Sequence, residues 1–233
     1  MKKMVIPVLI FLTCLARPAA AQDSSYLRDI KSELRQKWPA NRTINLVFHG
    51  HSVPAGYGRT PDVHTFDAYP WLVGEQLKTV YPYAVINIIV TAIGGENSEQ
   101  GAARFKKDVL THKPDVLFID YALNDRKIGL ERSRRSMEKM IRAALKRHIK
   151  IILLTPSADE QVDLRQPGNE LELFARQIRR LAEQYGIGLA DSYERFRQVE
   201  VQTGTIHDYM AQSNHPNRKG HLLIADEILR YFR

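Results

Sequence analysis

Ile44-Asn45-Leu46-Val47-Phe48-His49-Gly50-His51-Ser52-Val53 passes from an apolar run into a glycine-hinged polar turn. Residues 44–48 predict a buried strand. A serine just past a strand, preceded by glycine, can be held on a tight turn with its hydroxyl exposed. Its backbone N–H then lies near a helix start, where developing negative charge is favoured. The same local pattern also suits a serine that merely caps a helix, so the rest of the chain has to decide between the two.

Four more apolar runs, 84–90, 115–121, 150–154 and 187–190, have strand character. Several are continuous and β-branched, which fits strands buried on both faces of a parallel sheet. Between them, helical spacing of three and four appears at 25–37, 67–80, 99–111, 130–147, 171–185 and 219–231. Gly186 suits the left-handed position that ends a helix. The alternation predicts an α/β sheet with helices on both faces. No repeat, low-complexity tract or Ser/Gly linker interrupts it, so one domain is expected. Ligands in such sheets bind beyond the carboxyl ends of the strands. The longest irregular stretch, 156–169, follows the fourth of these runs and is a candidate pocket wall.

The chain has 233 residues, 44% hydrophobic and 26% charged, the composition of an ordinary globular protein rather than a disordered or fibrous one. Residues 1–21 read as a secretory signal peptide. Lys2 and Lys3 precede an apolar run at 4–15, and Ala19-Ala20-Ala21 forms a cleavage site. The alternative is an uncleaved anchor. Cleavage leaves residues 22–233 as the catalytic domain, with no integral membrane span, in a secreted or periplasmic protein of a bacterial envelope. It also removes Cys14, the one cysteine, which suits an oxidising compartment. The formal charge of +8 falls as well, because Lys2, Lys3 and Arg17 are lost and no acid is. That leaves 31 basic against 26 acidic residues, a charge of +5. Arg132, Arg134, Arg135, Lys139, Arg142, Lys146 and Arg147 read as a solvated helix face. No recognised nucleic-acid motif accompanies the charge.

Three further motifs stand at element ends. Ile93-Gly94-Gly95-Glu96 follows the second run, and paired glycines let backbone N–H groups approach a ligand. Leu123-Asn124-Asp125 follows the third, and its carboxamide can donate a hydrogen bond. Asn214-His215-Pro216-Asn217 opens the last helix, with His215 pushed towards extended backbone by the proline. Each has a plain reading as a turn or cap. Together they supply a hydroxyl, N–H and amide donors and an imidazole at one sheet edge, as acyl transfer requires. Serine needs a base to take its proton, and the tetrahedral intermediate needs preorganised donors.

These motifs, in this order, resemble the SGNH (GDSL) hydrolase family over residues 44–231. The resemblance implies a three-layer α/β/α sandwich around a flavodoxin-like parallel sheet of about five strands. It implies a carboxylic ester hydrolase with no metal or organic cofactor. Ser52 matches the nucleophile and His215 the base. The backbone N–H of Ser52, Gly95 (or Gly94) and Asn124 match the oxyanion hole. The sequence departs from the family twice. His51 replaces the aspartate of Gly-Asp-Ser. Gln212 stands three residues before the base, where the triad acid belongs. An uncharged amide oxygen at Gln212, a backbone carbonyl, or Asp208 is then left to orient His215.

The substrate class expected from export and family habit is a short-chain acyl ester of a carbohydrate or another small molecule. Tyr57, His64, Trp71 and the 156–169 loop are candidate walls of a sugar site. Two alternatives use the same sequence: an O-acyltransferase acting on an envelope polysaccharide, and a catalytically weak glycan-binding protein on an esterase fold.

Overall fold

The computed structural model describes residues 25–233. The expected export segment, with Cys14, lies outside the described residues. Five parallel strands form the main sheet: β1 (Thr43–Gly50), β2 (Val85–Val90), β3 (Val116–Asp120), β4 (Lys150–Leu154) and β5 (Gly188–Ala190). Their order is β2-β1-β3-β4-β5. The chain steps outward from β1 to β2, then crosses back over β1 to β3. The strand order therefore reverses at the carboxyl end of β1, the usual ligand crevice of an open parallel sheet. Ser52 follows that end directly.

Helices cover both faces: α1 (Arg28–Leu34), α2 (Ser52–Ala55), α3 (Tyr69–Val80), α4 (Ser98–Asp108), α5 (Leu130–Leu145), α6 (Glu170–Tyr185), α7 (Ser192–Thr203) and α8 (Arg218–Leu229). Successive strand residues point to opposite sides. Leu46, Phe48, Phe118 and Ile152 meet Leu72 and Val73 of α3 and Ile224 and Ile228 of α8. Val47, Leu117, Ile119 and Leu153 meet Phe105 of α4, Met137 and Ile141 of α5, and Ile178 of α6. The result is the three-layer α/β/α sandwich that the alternation predicts. Burial of these apolar faces, at about 25 cal/mol per Å², holds the layers together. The arginines of α5 point outward: Arg134, Arg135 and Arg142 pair with Glu131 and Glu138 of the same helix, and Arg132 pairs with Glu99 of α4. Gly186 sits at φ 61°, as the helix-stop reading requires.

Three features differ from the sequence expectation. The apolar run of β2 is not buried on both faces: Val85 is 46% exposed, because β2 is an edge strand. Helix α7 was not expected, since Tyr193 and Phe196 are the large apolar residues that it buries. Asp191 caps it by accepting the Glu194 N–H. A two-stranded antiparallel hairpin, β6 (Met210–Gln212) and β7 (His215–Pro216), precedes α8. Strands of two or three residues leave no legible period.

β1 and β3 approach closely where the site is built. A Cβ at Gly50 would lie 2.5 Å from the Asp120 carbonyl and 2.8 Å from the Pro54 ring. Gly50→Ala is expected to cost about 1–3 kcal/mol through overpacking, read as a lowered thermal midpoint.

Candidate active site

Ser52 begins the short helix α2, and its side chain is nearly buried. His51 caps that turn: its Nδ1 accepts the Val53 N–H at 3.3 Å. From 163 residues away, the β6–β7 hairpin brings His215 to Ser52, with Nε2 2.9 Å from Oγ. Asn217 caps α8 by accepting the N–H groups of Lys219 and Gly220. Its amide also donates to the Asp208 and Met210 carbonyls, which ties the helix start to the hairpin.

The other face of the His215 ring is set by two contacts. Nδ1 lies 3.0 Å from the Gly58 carbonyl and 2.8 Å from Nε2 of Gln212. The Gln212 amide oxygen is engaged elsewhere, accepting from the backbone N–H and the hydroxyl of Thr60 at 3.0 and 3.3 Å. The two Nδ1 contacts demand opposite tautomers. An N–H donated by Gln212 needs the Nδ1 lone pair. The Gly58 carbonyl needs Nδ1–H, and that tautomer leaves Nε2 free to accept the serine proton. This corrects the expectation for Gln212: its oxygen does not accept from the base, because Thr60 holds it. It also corrects Asp208, whose side chain is exposed on a 3-10 turn and makes no hydrogen bond to His215. The acceptor that suits a basic Nε2 is a backbone carbonyl, held by a turn in which the Gly58 N–H donates to Asp62. Burial pushes the His215 imidazole below its ordinary value, and the Gly58 carbonyl partly offsets this.

The loop after β2 docks on β1, with the N–H groups of Thr91 and Ile93 donating to the Phe48 and Gly50 carbonyls. Gly94 packs against Tyr57, whose ring a Cβ would meet at 2.8 Å. Gly95 has φ +80° and open space around it. Asn124 donates from its amide to the Glu96 carbonyl at 2.9 Å, which ties the third motif to the second. Asp125 braces the same junction from below, accepting from the Ser98 N–H and the Ser133 hydroxyl at 2.7 and 2.6 Å. Ser52, Gly95 and Asn124 thus follow β1 and its two neighbours at one sheet edge.

Several supporting residues escaped the sequence reading. Glu96 forms a two-point ion pair with Arg104, and Tyr121 joins it to His49. Asp159 accepts from Arg126 at 2.7 Å and from the Ser213 hydroxyl at 3.1 Å, and the Glu160 N–H donates to the Ser213 carbonyl. The 156–169 loop therefore braces the histidine turn. Of the candidate sugar contacts, Tyr57 is exposed and lies 6.1 Å from the His215 ring. His64 backs Gly58. Trp71 instead lines a separate groove with Phe66, Glu75 and Lys78. A cavity of about 290 Å³ runs from Asn124 past Lys127 to Asn214, next to the base. No cluster of three or more metal-ligating side chains occurs among the described residues.

The family model for the GDSL-like lipase/acylhydrolase family matches residues 48–223. The chain belongs to this family. It is a carboxylic ester hydrolase. An acetylxylan esterase of Geobacillus stearothermophilus is 24% identical over 205 residues, 79% of this chain and 92% of that protein. Among solved structures, a two-domain esterase active on acetylated mannans matches with TM-score 0.70 and 21% identity over 89% of this chain. The chain spans about half (52%) of the length of that esterase. A catalytic mutant of the Geobacillus acetylxylan esterase matches with TM-score 0.69 and 22% identity, over 81% of this chain and 94% of its own. These structural likenesses establish the same fold.

Two histidines of this acylhydrolase are held neutral by burial. His49 and His221 are both lowered to about 3, His49 also by the nearby Arg104. His221 accepts the Tyr69 N–H, a bond that needs an unprotonated nitrogen. Their folded values lie below the unfolded value near 6.5. The stability they contribute is therefore complete above 6.5 and falls as pH drops through the window towards 3. The urea midpoint is expected to be lower at pH 5 than at pH 7. Both imidazoles should stay neutral over that range in an NMR titration.

Proposed function

We propose that this protein is an exported serine esterase that removes short acyl groups, foremost acetyl, from a carbohydrate. Residues 22–233 form its catalytic domain. The observation that carries the mechanism is the 2.9 Å contact between Ser52 Oγ and His215 Nε2, with Nδ1 against the Gly58 carbonyl. Ser52 attacks the ester carbonyl while His215 takes its proton. The imidazolium formed keeps its Nδ1–H on the Gly58 carbonyl. The tetrahedral oxyanion is received by the N–H groups of Ser52 and Gly95 and by the Asn124 amide. His215 then returns its proton to the leaving alcohol, and water enters by the same base to release the acid. The acetylxylan and acetylated-mannan esterases among its relatives support a carbohydrate alcohol. The cavity between Asn124 and Asn214, lined by Lys127 and Glu170, offers polar room for one.

A short-chain ester panel on the purified protein tests this reading. Ser52→Ala and His215→Ala are each expected to lower kcat at least about 10³-fold. Asn124→Ala should lower it about 10²–10³-fold with little change in KM. Retained turnover in Ser52→Ala would sink the mechanism. Lack of Ser52-dependent labelling by a fluorophosphonate would favour a glycan-binding protein. Acylated product in the presence of acceptor polysaccharide would favour transfer.

The base works only when neutral, and burial lowers its pKa. The acid limb of kcat/KM should therefore inflect below the usual imidazole value of about 6.5. Gln212→Glu places a carboxylate beside Nδ1. It is expected to move that inflection up by about one unit, since an adjacent opposite charge favours imidazolium. An unmoved limb would mean that position 212 does not face the base.

A further inference from the structure

A second polar chain lies beneath Ser52, and the reaction as described does not use it. His51 is fully buried, and Asp120 is nearly so. The His51 Nδ1 accepts the Val53 N–H, so that nitrogen is unprotonated and the ring proton sits on Nε2. Nε2 lies 3.4 Å from Asp120 Oδ1, within ion-pair reach, and neither atom has a hydrogen-bond partner among the described residues. The other Asp120 oxygen accepts the Tyr69 hydroxyl at 3.1 Å. Burial and the adjacent Asp120 raise the Tyr69 hydroxyl well above its ordinary value, which keeps it a donor. Ser52 Oγ is thus 3.5 Å from an imidazole that has a carboxylate behind it, and 2.9 Å from one that has none.

We propose that Asp120 acts through His51 to position the nucleophile. Asp120 selects the Nε2–H tautomer of His51. The Nδ1 lone pair then holds the Val53 N–H and fixes the turn on which Ser52 stands, so that the serine proton is directed to His215. His51 is not the base itself, because its lone pair is committed to Val53 and its approach to Oγ is the longer one. A buried carboxylate therefore lies under the serine, whereas the position behind the histidine holds Gln212. The inference rests on Ser52 being the nucleophile, and its test separates the two.

Four proteins are compared on a short-chain aryl ester: wild type, Asp120→Asn, His51→Asn and the double variant. Asparagine at 51 keeps a side-chain oxygen that can cap the Val53 N–H. Asp120→Asn is expected to lower kcat about tenfold or more with KM within about twofold. The double variant should be no slower than His51→Asn, because a residue acting through another adds nothing once that partner is gone. His51→Leu, which cannot cap, should be slower than His51→Asn. Multiplying effects in the double variant, or an Asp120→Asn change confined to the thermal midpoint, would overturn the proposal. A ¹⁵N NMR measurement on wild type needs no variant to fold: His51 should be protonated at Nε2 and bare at Nδ1, and the reverse would overturn it. Absence of fluorophosphonate labelling at Ser52 in wild type would defeat the nucleophile assignment itself. Labelling that is equally fast in Asp120→Asn would defeat this inference alone.

Discussion

The hydrogen bond between His215 Nδ1 and the Gly58 carbonyl is the contact on which the proposed chemistry depends. With a carboxylate behind the ring, the tautomer and the imidazolium are both secured by charge. Here a neutral carbonyl at 3.0 Å does the orienting, and Gln212 offers a competing contact to the same nitrogen. A base arranged this way gains little charge stabilisation when it takes the serine proton. Its geometry has to be held by the surrounding turns.

The structure holds it by tying loops from distant parts of the chain to one another. The 56–64 turn, which carries the Gly58 carbonyl, is closed by the His64 N–H on the Gly56 carbonyl. The hairpin carrying His215 is pinned by Asp159 and Glu160 through Ser213. Asn124 and Asp125 clamp the glycine loop at Glu96 and Ser98. Most of these are buried or half-buried bonds, and each unmade partner would cost about 1–3 kcal/mol. A site with weak charge support is thus given strong positional support, in keeping with catalysis by preorganised dipoles.

The fold was legible because its signals are local. Continuous β-branched runs mark buried strands, and spacings of three and four mark the helices between them. The exceptions follow the same logic. Helix α7 buries few large apolar residues, and the β6–β7 strands are too short to show a period. The exposure of β2 is a property of being an edge, which no residue in the run encodes. Four motif residues, Ser52, Gly95, Asn124 and His215, were legible through their order along the chain. The bonds that hold them were not: Glu96 and Asp159 lie in stretches that the sequence marks, but their partners Arg104, Arg126 and Ser213 are set by tertiary contact, and Asp120 and Tyr69 look like ordinary strand and helix residues.

The sequence by itself determined the alternating α/β architecture, the family resemblance and the absence of an acid at position 212. These depend on residue type and spacing within short windows. Tertiary structure alone decided which acceptor faces His215 Nδ1, because it is a backbone carbonyl and every residue has one. It also decided that the Gln212 oxygen turns to Thr60, and that a buried carboxylate sits under His51. Such pairings join residues dozens to more than a hundred positions apart, and only chain crossings at the end of β1 bring them together.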